Sequence, residues 1–362
     1  MAYQMGAHWT RAWLPWASIE TSPGNYDWSW ADLQLNHFAE EGLKIIAVIY
    51  YPPPWSASQG CGPISDTLAL DHFVTAVTTR YGNIVDAWEF INEPDGRAPY
   101  YYGPVIGCWG PQPQLYSEQL SLFYHKVKMI DPTALVAFGG LAYDNWTIFD
   151  RDFFTHTLES GAGNYFDVLS LHFYPINPQD FPTIADKINE IKAIMQRHGV
   201  YNKLIWISET SMWTNNSLDD QKNYIVKDLT RGFCAGADRL FWFDVREGIK
   251  PQALKRWLIN NQHQPDQGYY TFQHYAAQIH GAFCRGKYTQ VPANIEAYNF
   301  GTPTGDLYVL WATTGSAVVN LPAGSSATLV DRDGLTSQPL NQINGRVSQT
   351  IGTQPVFIVI TR

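Results

Sequence analysis

Charge is scarce in this chain. Only 16% of its 362 residues are Asp, Glu, Lys or Arg, and the formal net charge is -9. Nucleic-acid binding needs a basic patch, which this balance argues against. No apolar run approaches the ~18 residues that a membrane helix requires, so no helical span is expected. The four cysteines, at 61, 108, 234 and 284, form no CxxC pair, and no Cys/His cluster has zinc spacing. A metal site is therefore not expected. There is no glycine-rich phosphate loop and no HExxH, which removes nucleotide-phosphate chemistry and zinc peptidases. The absence of a Gly-x-Ser-x-Gly elbow removes the common serine hydrolases. Nothing in the sequence asks for a cofactor. The opening residues, Met1-Ala2-Tyr3-Gln4-Met5-Gly6, have neither a basic start nor an apolar core, so no secretory leader is expected in them. They do not fix a compartment.

Two stretches carry the information that remains, Trp88-Glu89-Phe90-Ile91-Asn92-Glu93-Pro94 and Ile205-Trp206-Ile207-Ser208-Glu209-Thr210. Each is an apolar, β-rich run that delivers a glutamate at its C-terminal end. Parallel strands covered on both faces read as continuous apolar runs, and α/β barrels build their sites where such strands end. Two carboxylates at two strand ends are the minimal equipment for glycoside hydrolysis.

The rest of the chain supports that frame. Strand-like runs at 8–16, 44–51, 84–93, 134–141, 166–175, 203–210 and 238–246 alternate with helix-like ones, the pattern of βα units. The helix candidates are 66–81, 115–130, 183–198, 218–235 and 269–280; in the third, Ile184, Ile188, Ile191 and Met195 recur at helical spacing. After Gly281 the runs become short, β-branched or aromatic, and separated by Gly, Pro, Asn and Asp. The expectation is a TIM-type (β/α) barrel over 1–282 and a small all-β sandwich over 283–362. A closed (β/α)₈ barrel has eight strands, and the sequence offers seven. Cys61 and Cys108 lie in loops after two neighbouring strands; whether they are bridged stays open.

Arg11 within Trp9-Thr10-Arg11-Ala12-Trp13, with Gly24-Asn25-Tyr26-Asp27-Trp28 after it, resembles the second-strand region of the clan A retaining (β/α)₈ glycosidases. Asn92-Glu93-Pro94 is similar to that clan's fourth-strand acid/base motif. His172-Phe173-Tyr174 is similar to its sixth-strand pair, Ser208-Glu209-Thr210 to its seventh-strand nucleophile, and Trp242 to its eighth-strand platform. The terminal β-module resembles that of the β-xylosidase and iduronidase family. The resemblance places the motif glutamates on the fourth and seventh strands, whereas here they end the third and sixth. It therefore implies that the first βα unit is missing.

These readings assign roles. Glu93 is the expected general acid and base, which needs a raised pKa. Asn92 would hydrogen-bond a sugar 2-hydroxyl. Glu209 is the expected nucleophile, with Arg11 and Tyr174 nominated by resemblance to hold it. Glu89, deeper on the same face as Glu93, reads as a structural partner of Arg11. His172 and Tyr174 share a face by period two. Trp242 would floor a sugar subsite, and Trp55, following Pro52-Pro53-Pro54, would line the cleft.

The expected activity is a retaining β-glycosidase acting on a glucoside, galactoside or xyloside. The competing reading is a catalytically impaired carbohydrate-binding or assembly protein of glycosidase ancestry, which the missing unit favours. A barrel lyase or isomerase would need a Schiff-base lysine or a metal constellation, and neither is visible. Unpaired strand edges are costly to leave in water, so a homo-oligomer that covers them is expected.

Overall fold

The computed structural model describes residues 2–57, 60–97, 105–175, 179–212, 217–247 and 256–362. Seven strands form one parallel sheet: β1 Trp9–Pro15, β2 Lys44–Tyr50, β3 Ala87–Asn92, β4 Leu135–Leu141, β5 Val168–Phe173, β6 Leu204–Thr210 and β7 Arg239–Trp242. They pair in chain order, so β1 and β7 are the edges of a curled, incomplete barrel. The helices run α1 Ser29–Glu40, α2 Thr67–Tyr81, α3 Pro113–Ile130, α4 Phe153–Glu159, α5 Ile184–Arg197, α6 Leu218–Ala235 and α7 Gln267–Ile279. Helices α1 and α4 have no counterpart in the sequence reading. In α1 only Ala31 and Leu35 are buried, too sparse a stripe to announce a helix.

The register of the sheet is pinned by a recurring aspartate. Asp86, Asp167 and Asp238 each precede a strand and accept the backbone N–H of Ile45, Val136 and Ile205, respectively, on the preceding strand. Each carboxylate satisfies a donor where the ladder begins, so a one-residue slip would strand it. Inside this end of the sheet, the Trp9 and Trp206 rings meet at 4.8 Å between centroids, and the Arg239 guanidinium lies 4.6 Å from Trp9 and 4.9 Å from Trp206. The barrel is thereby plugged at its N-terminal end and open for chemistry at the other.

Between the β1 and β7 edges lies a cavity of about 1280 Å³, lined by Trp9, Phe38, Leu240, Phe272 and Ile279 among others. The N-terminal turn Tyr3–Met5 closes one side: Met5 is fully buried, and the Gln4 carbonyl accepts from Gln273 of α7. Strand β7 is shorter than the run 238–246 expected from sequence, because the chain leaves the sheet at Phe243.

The C-terminal part is antiparallel. Strands β8 Phe283–Lys287, β9 Ile295–Thr302, β10 Gly305–Ala312, β11 Ala317–Pro322, β12 Ser326–Asp331, β13 Ser337–Pro339, β14 Gln342–Ile343, β15 Arg346–Ile351 and β16 Val356–Thr361 form two sheets. Their orders are β8-β9-β10-β16-β12-β13 and β11-β15-β14. Val319, Leu321 and Val347 from one sheet share a core with Ala297, Leu310 and Ile358 from the other.

This β-sandwich is fastened to helices α6 and α7. Arg231 makes a two-pronged contact with Glu296 (2.8 and 2.7 Å), Lys222 pairs with Asp333 at 3.0 Å, and Arg332 reaches Asp219 at 2.9 Å. The disulfide Cys234–Cys284 joins the last turn of α6 to β8. A second disulfide, Cys61–Cys108, ties the loops after β2 and β3, which resolves the question the sequence left open. Closing a loop with a sequence separation of 50 restricts the unfolded chain, so Cys234→Ser with Cys284→Ser should lose about 2–4 kcal/mol of stability. Denaturant titration of the double variant against the parent measures this.

Candidate active site

The C-terminal end of the sheet gathers six of the eight residues singled out from sequence. Arg11 on β1 is the hub, with only 5% of its side chain exposed. Its Nη1 donates to Glu209 Oε1 at 2.5 Å, and its Nη2 donates to Glu89 Oε1 at 2.6 Å and Asn92 Oδ1 at 2.7 Å. The pKa of Arg11 is raised: burial opposes its charge, and the attraction of Glu89 and then Glu209 outweighs that cost. Glu89 is wholly buried and saturated, since it also accepts from Gly140 N–H and the Ser170 hydroxyl.

Strict alternation along β3 would put Glu89 and Asn92 on opposite faces, yet both meet Arg11. The backbone explains it. Ile91 and Glu93 have φ of 68° and 46°, the left-handed region that L-residues avoid. Such strain costs about 1–3 kcal/mol per residue and persists where surrounding contacts over-determine it. Here Glu93 N–H is held by Gly140 O at 2.9 Å, and Gly107 N–H donates to Asn92 O at 2.8 Å. Asn92 Nδ2 donates to Val105 O, in the segment that the Cys61–Cys108 bridge anchors. One Nδ2 hydrogen beyond that bond is left for a ligand.

On the opposite wall, β5 and β6 place His172 beside Glu209 in register. His172 Nδ1 lies 2.9 Å from Glu93 Oε1 and 3.6 Å from Glu209 Oε2. The Nε2 end of its ring abuts Gly140, where a Cβ would stand 2.3 Å from Nε2. A glycine is therefore required at 140, and the sequence reading did not foresee it. Burial pushes the imidazole pKa down to about 4 against the pull of Glu209, so the ring is neutral at neutral pH. Tyr174 donates its hydroxyl to Glu209 Oε2 at 2.6 Å, and burial followed by the Glu209 charge holds the phenol proton on. Both oxygens of Glu209 thus face donors.

Glu93 differs. Burial, then the charge of Asp144, pushes its pKa up to about 8, against the opposing charges of Arg11 and Lys187. One carboxyl stays protonated at neutral pH beside another that receives two donors. Single ligand atoms of Glu93, Glu209 and His172 all lie within 4.8 Å of one another, a set that could be offered to a cation. Arg11 already presents its own cation to Glu209 there, and a divalent ion would have to face it.

Two sequence assignments need correction. Trp242 is not the floor of this pocket. It pairs in register with Thr210, whose hydroxyl meets Tyr224 of α6, and its own ring packs on Tyr224 and on Phe272 of α7. It belongs to the helix side of the sheet. The register of β6 against β7 shifts between Ile207 and Thr210, which no single-strand pattern reveals. The next residue, Phe243, meets Trp13 across the mouth with ring centroids 6.3 Å apart. Trp55 packs edge-on against Trp16, which stacks on Phe73 of α2, so it supports the wall from behind. The aromatic face actually beside Arg11 is Trp13, 4.7 Å from the guanidinium and edge-on to Tyr50. Period two counted from Arg11 would have found it.

No family model and no curated protein sequence matches this chain. Its structure is similar to solved ones. One is a family 39 glycoside hydrolase from the gut symbiont Bacteroides cellulosilyticus WH2, at 19% identity and a TM-score of 0.78 over 99% of this chain and 76% of that one. A GH30 endoxylanase from Clostridium papyrosolvens C71 aligns at 13% identity and a TM-score of 0.71, over 99% and 90%. A monomeric β-xylosidase from Caulobacter crescentus CB15 aligns at 13% and 0.63, over 99% and 90%. The fold is that of barrel glycoside hydrolases carrying a β-domain.

Because burial disfavours the charged ring, His172 should remain neutral until the pH falls to about 4. Imidazole ¹⁵N chemical shifts across a pH titration check this; a ring that charges near 6.5 would contradict the packing described.

Proposed function

We propose that the chain is a retaining β-glycosidase with Glu93 as acid and base and Glu209 as nucleophile. The observation that carries the reading is the unequal pair: carboxylate oxygens within 4.8 Å, one on a carboxyl raised to about 8 and the other on a carboxylate bonded to Arg11 and Tyr174. Inverting pairs stand about 6.5–9.5 Å apart to admit a water, retaining pairs about 5–5.5 Å. The close approach favours the second.

In the first step a Glu209 oxygen attacks the anomeric carbon while Glu93 gives its proton to the departing oxygen. In the second, ionised Glu93 takes a proton from water, the hydroxide oxygen bonds the anomeric carbon, and Glu209 leaves. Neutral His172, next to Glu93, can accept or donate a hydrogen bond as that proton moves. Asn92 contacts the 2-hydroxyl, and Trp13 with Phe243 offers apolar ring faces to the sugar. The substrate class is a β-glucoside, β-galactoside or β-xyloside. The names of the xylan- and xyloside-active neighbours put xylosides first in the panel.

A chromogenic β-glycoside panel tests the reading, with product anomers followed by NMR. Retained configuration is expected. Glu209→Gln should lose at least about 10³-fold in kcat, a few kcal/mol of transition-state stabilisation. Azide should restore turnover of an activated aryl glycoside to Glu93→Ala, giving the β-glycosyl azide. No turnover on any member would favour the carbohydrate-binding alternative.

We also infer that residues 1–282 and 283–362 are separate domains, a division supported by the change from parallel to antiparallel sheet at Phe283. The unpaired edges of β1 and β7 and the open cavity between them, which has apolar and charged walls, further support a homo-oligomer, with a second copy covering the gap. Light scattering should then give twice the 41.0 kDa chain mass or more; a stable monomer at micromolar concentration would defeat it.

A further inference from the structure

Asn92 and Glu93, at the end of β3, are flanked by a second stretch of chain. Residues 105–110 run alongside 92–96 and are bonded to them backbone to backbone. Gly107 N–H donates to Asn92 O at 2.8 Å, Trp109 N–H to Pro94 O at 3.0 Å and Gly110 N–H to Gly96 O at 2.9 Å. The carbonyls on both sides of Glu93 are therefore held from one segment. The approach leaves no room for a side chain: a Cβ at position 107 would stand 2.7 Å from Ile91 Cγ2 and 3.1 Å from Asn92 O. The side chain of Asn92 depends on the same segment. Arg11 Nη2 donates to its Oδ1 at 2.7 Å, and its Nδ2 donates to Val105 O at 3.0 Å. Two pins, one at each end of a planar amide, set the direction of the second Nδ2 hydrogen. With Arg11 alone the amide could tilt about its oxygen.

Val105 lies at the solvent edge, 40% exposed, where local opening costs least. What secures the chain next to it is Cys108. The Cys61–Cys108 disulfide, with Cys108 N–H donating to Cys61 O at 3.2 Å, ties the segment to the loop after β2, and both cysteines are buried. The neighbouring anchors are softer. Ile106 packs with Ala142 and Phe149, and Trp109 Nε1 donates to Gln119 Oε1 of α3 at 3.0 Å. Apolar contact is non-directional and lets a segment slide. A disulfide holds two Cα atoms at one separation, here 5.5 Å.

We propose that the Cys61–Cys108 disulfide is a positioning bond for the reaction: through Val105 and Gly107 it aims the Asn92 amide at the sugar 2-hydroxyl. The proposal rests on the glycosidase reading for the identity of that hydroxyl, not for the aim of the amide. A hydrogen bond to the 2-hydroxyl strengthens in the transition state, and a misplacement of about 1 Å can cost about 10²-fold in rate. Discrimination between a glycoside and its 2-deoxy counterpart therefore reads the aim of Asn92, which a bond that only stabilised the fold would not alter. Cys234–Cys284, which joins α6 to the sandwich, is the control for loss of a disulfide as such.

The test is Cys61→Ala with Cys108→Ala, compared with the parent and with Cys234→Ser plus Cys284→Ser, well below the melting temperature of each. The ratio of kcat/KM for an aryl β-glycoside to that for its 2-deoxy analogue should fall about tenfold in the first variant and stay within about twofold in the second. Independently of turnover, the side-chain amide proton signals of Asn92, assigned by their loss in Asn92→Asp, should shift and exchange faster with solvent in the first variant alone. If the parent hydrolyses glycosides and either the ratio or the signals stay unmoved, or the control moves as far, the proposal is overturned and the glycosidase reading survives. If the parent hydrolyses no glycoside yet the signals change, the positioning role stands and the functional reading fails. Unmoved signals overturn the proposal in that case too. Should the first variant not fold, Cys61→Ala with Cys108→Val refills the buried volume and is read in the same way, with the same outcomes.

Discussion

The guanidinium of Arg11 holds three elements at once. A planar fork with five donors can meet two carboxylates and an amide oxygen in fixed directions, which an ammonium cannot. Here it joins β1 to β3 through Glu89 and Asn92, and to β6 through Glu209. The sheet is open between β1 and β7, so the ladder ties β1 to β6 only the long way round, through β2 to β5. The buried charge network bridges the barrel interior where the hydrogen-bonded circle does not. Without Arg11, two carboxylates would lie unpaired in a dry site, the arrangement that proteins tolerate least.

That constraint extends outward. Glu89 carries it to Gly140 and to the Ser170–Ser208 hydroxyl pair, which links β5 to β6 at 2.6 Å. Asn92 carries it to Val105 and so to the loop stapled by Cys61–Cys108. The left-handed residues at Ile91 and Glu93 are affordable because these contacts leave the chain no relaxed alternative. The second disulfide and the ion pairs of Arg231, Lys222 and Arg332 act in the same sense at the opposite side, bracing α6 and α7 next to the open edge. A barrel with a gap thus has its neighbouring helices fastened to a sandwich rather than left to lean into water.

What could be read in advance followed from local pattern. Strands β2 to β6 are continuous apolar runs because helices cover one face and the barrel interior the other, and such runs announce themselves. The glutamates were visible as charged residues at the ends of those runs, where burial in an apolar strand makes a carboxylate conspicuous. Helices with a full apolar stripe, such as α5 and α6, were legible; α1, with two buried apolar residues, was not. Trp242 was misplaced for a different reason. It was assigned by resemblance to an eighth-strand platform, which matches a residue type at a strand end and does not fix the face it occupies; the register shift between β6 and β7 sets that face.

The sequence by itself determined the order of the seven strands, the parallel sheet with its later antiparallel module, and the strand-end candidates Glu93 and Glu209, since each depends on short-range pattern or on a residue type out of place. Arg11, His172 and Tyr174 were nominated by resemblance to a known clan. Tertiary structure decided that Glu93 is pushed toward keeping its proton, because burial is the main cause of that shift and burial comes from elements distant in the chain. It also decided that Phe243 rather than Trp242 faces Trp13, that Cys234 finds Cys284, and that position 140 must be glycine beneath an imidazole. Electrostatic interaction falls with distance through space, and packing excludes by volume. Neither quantity is written in the order of the residues.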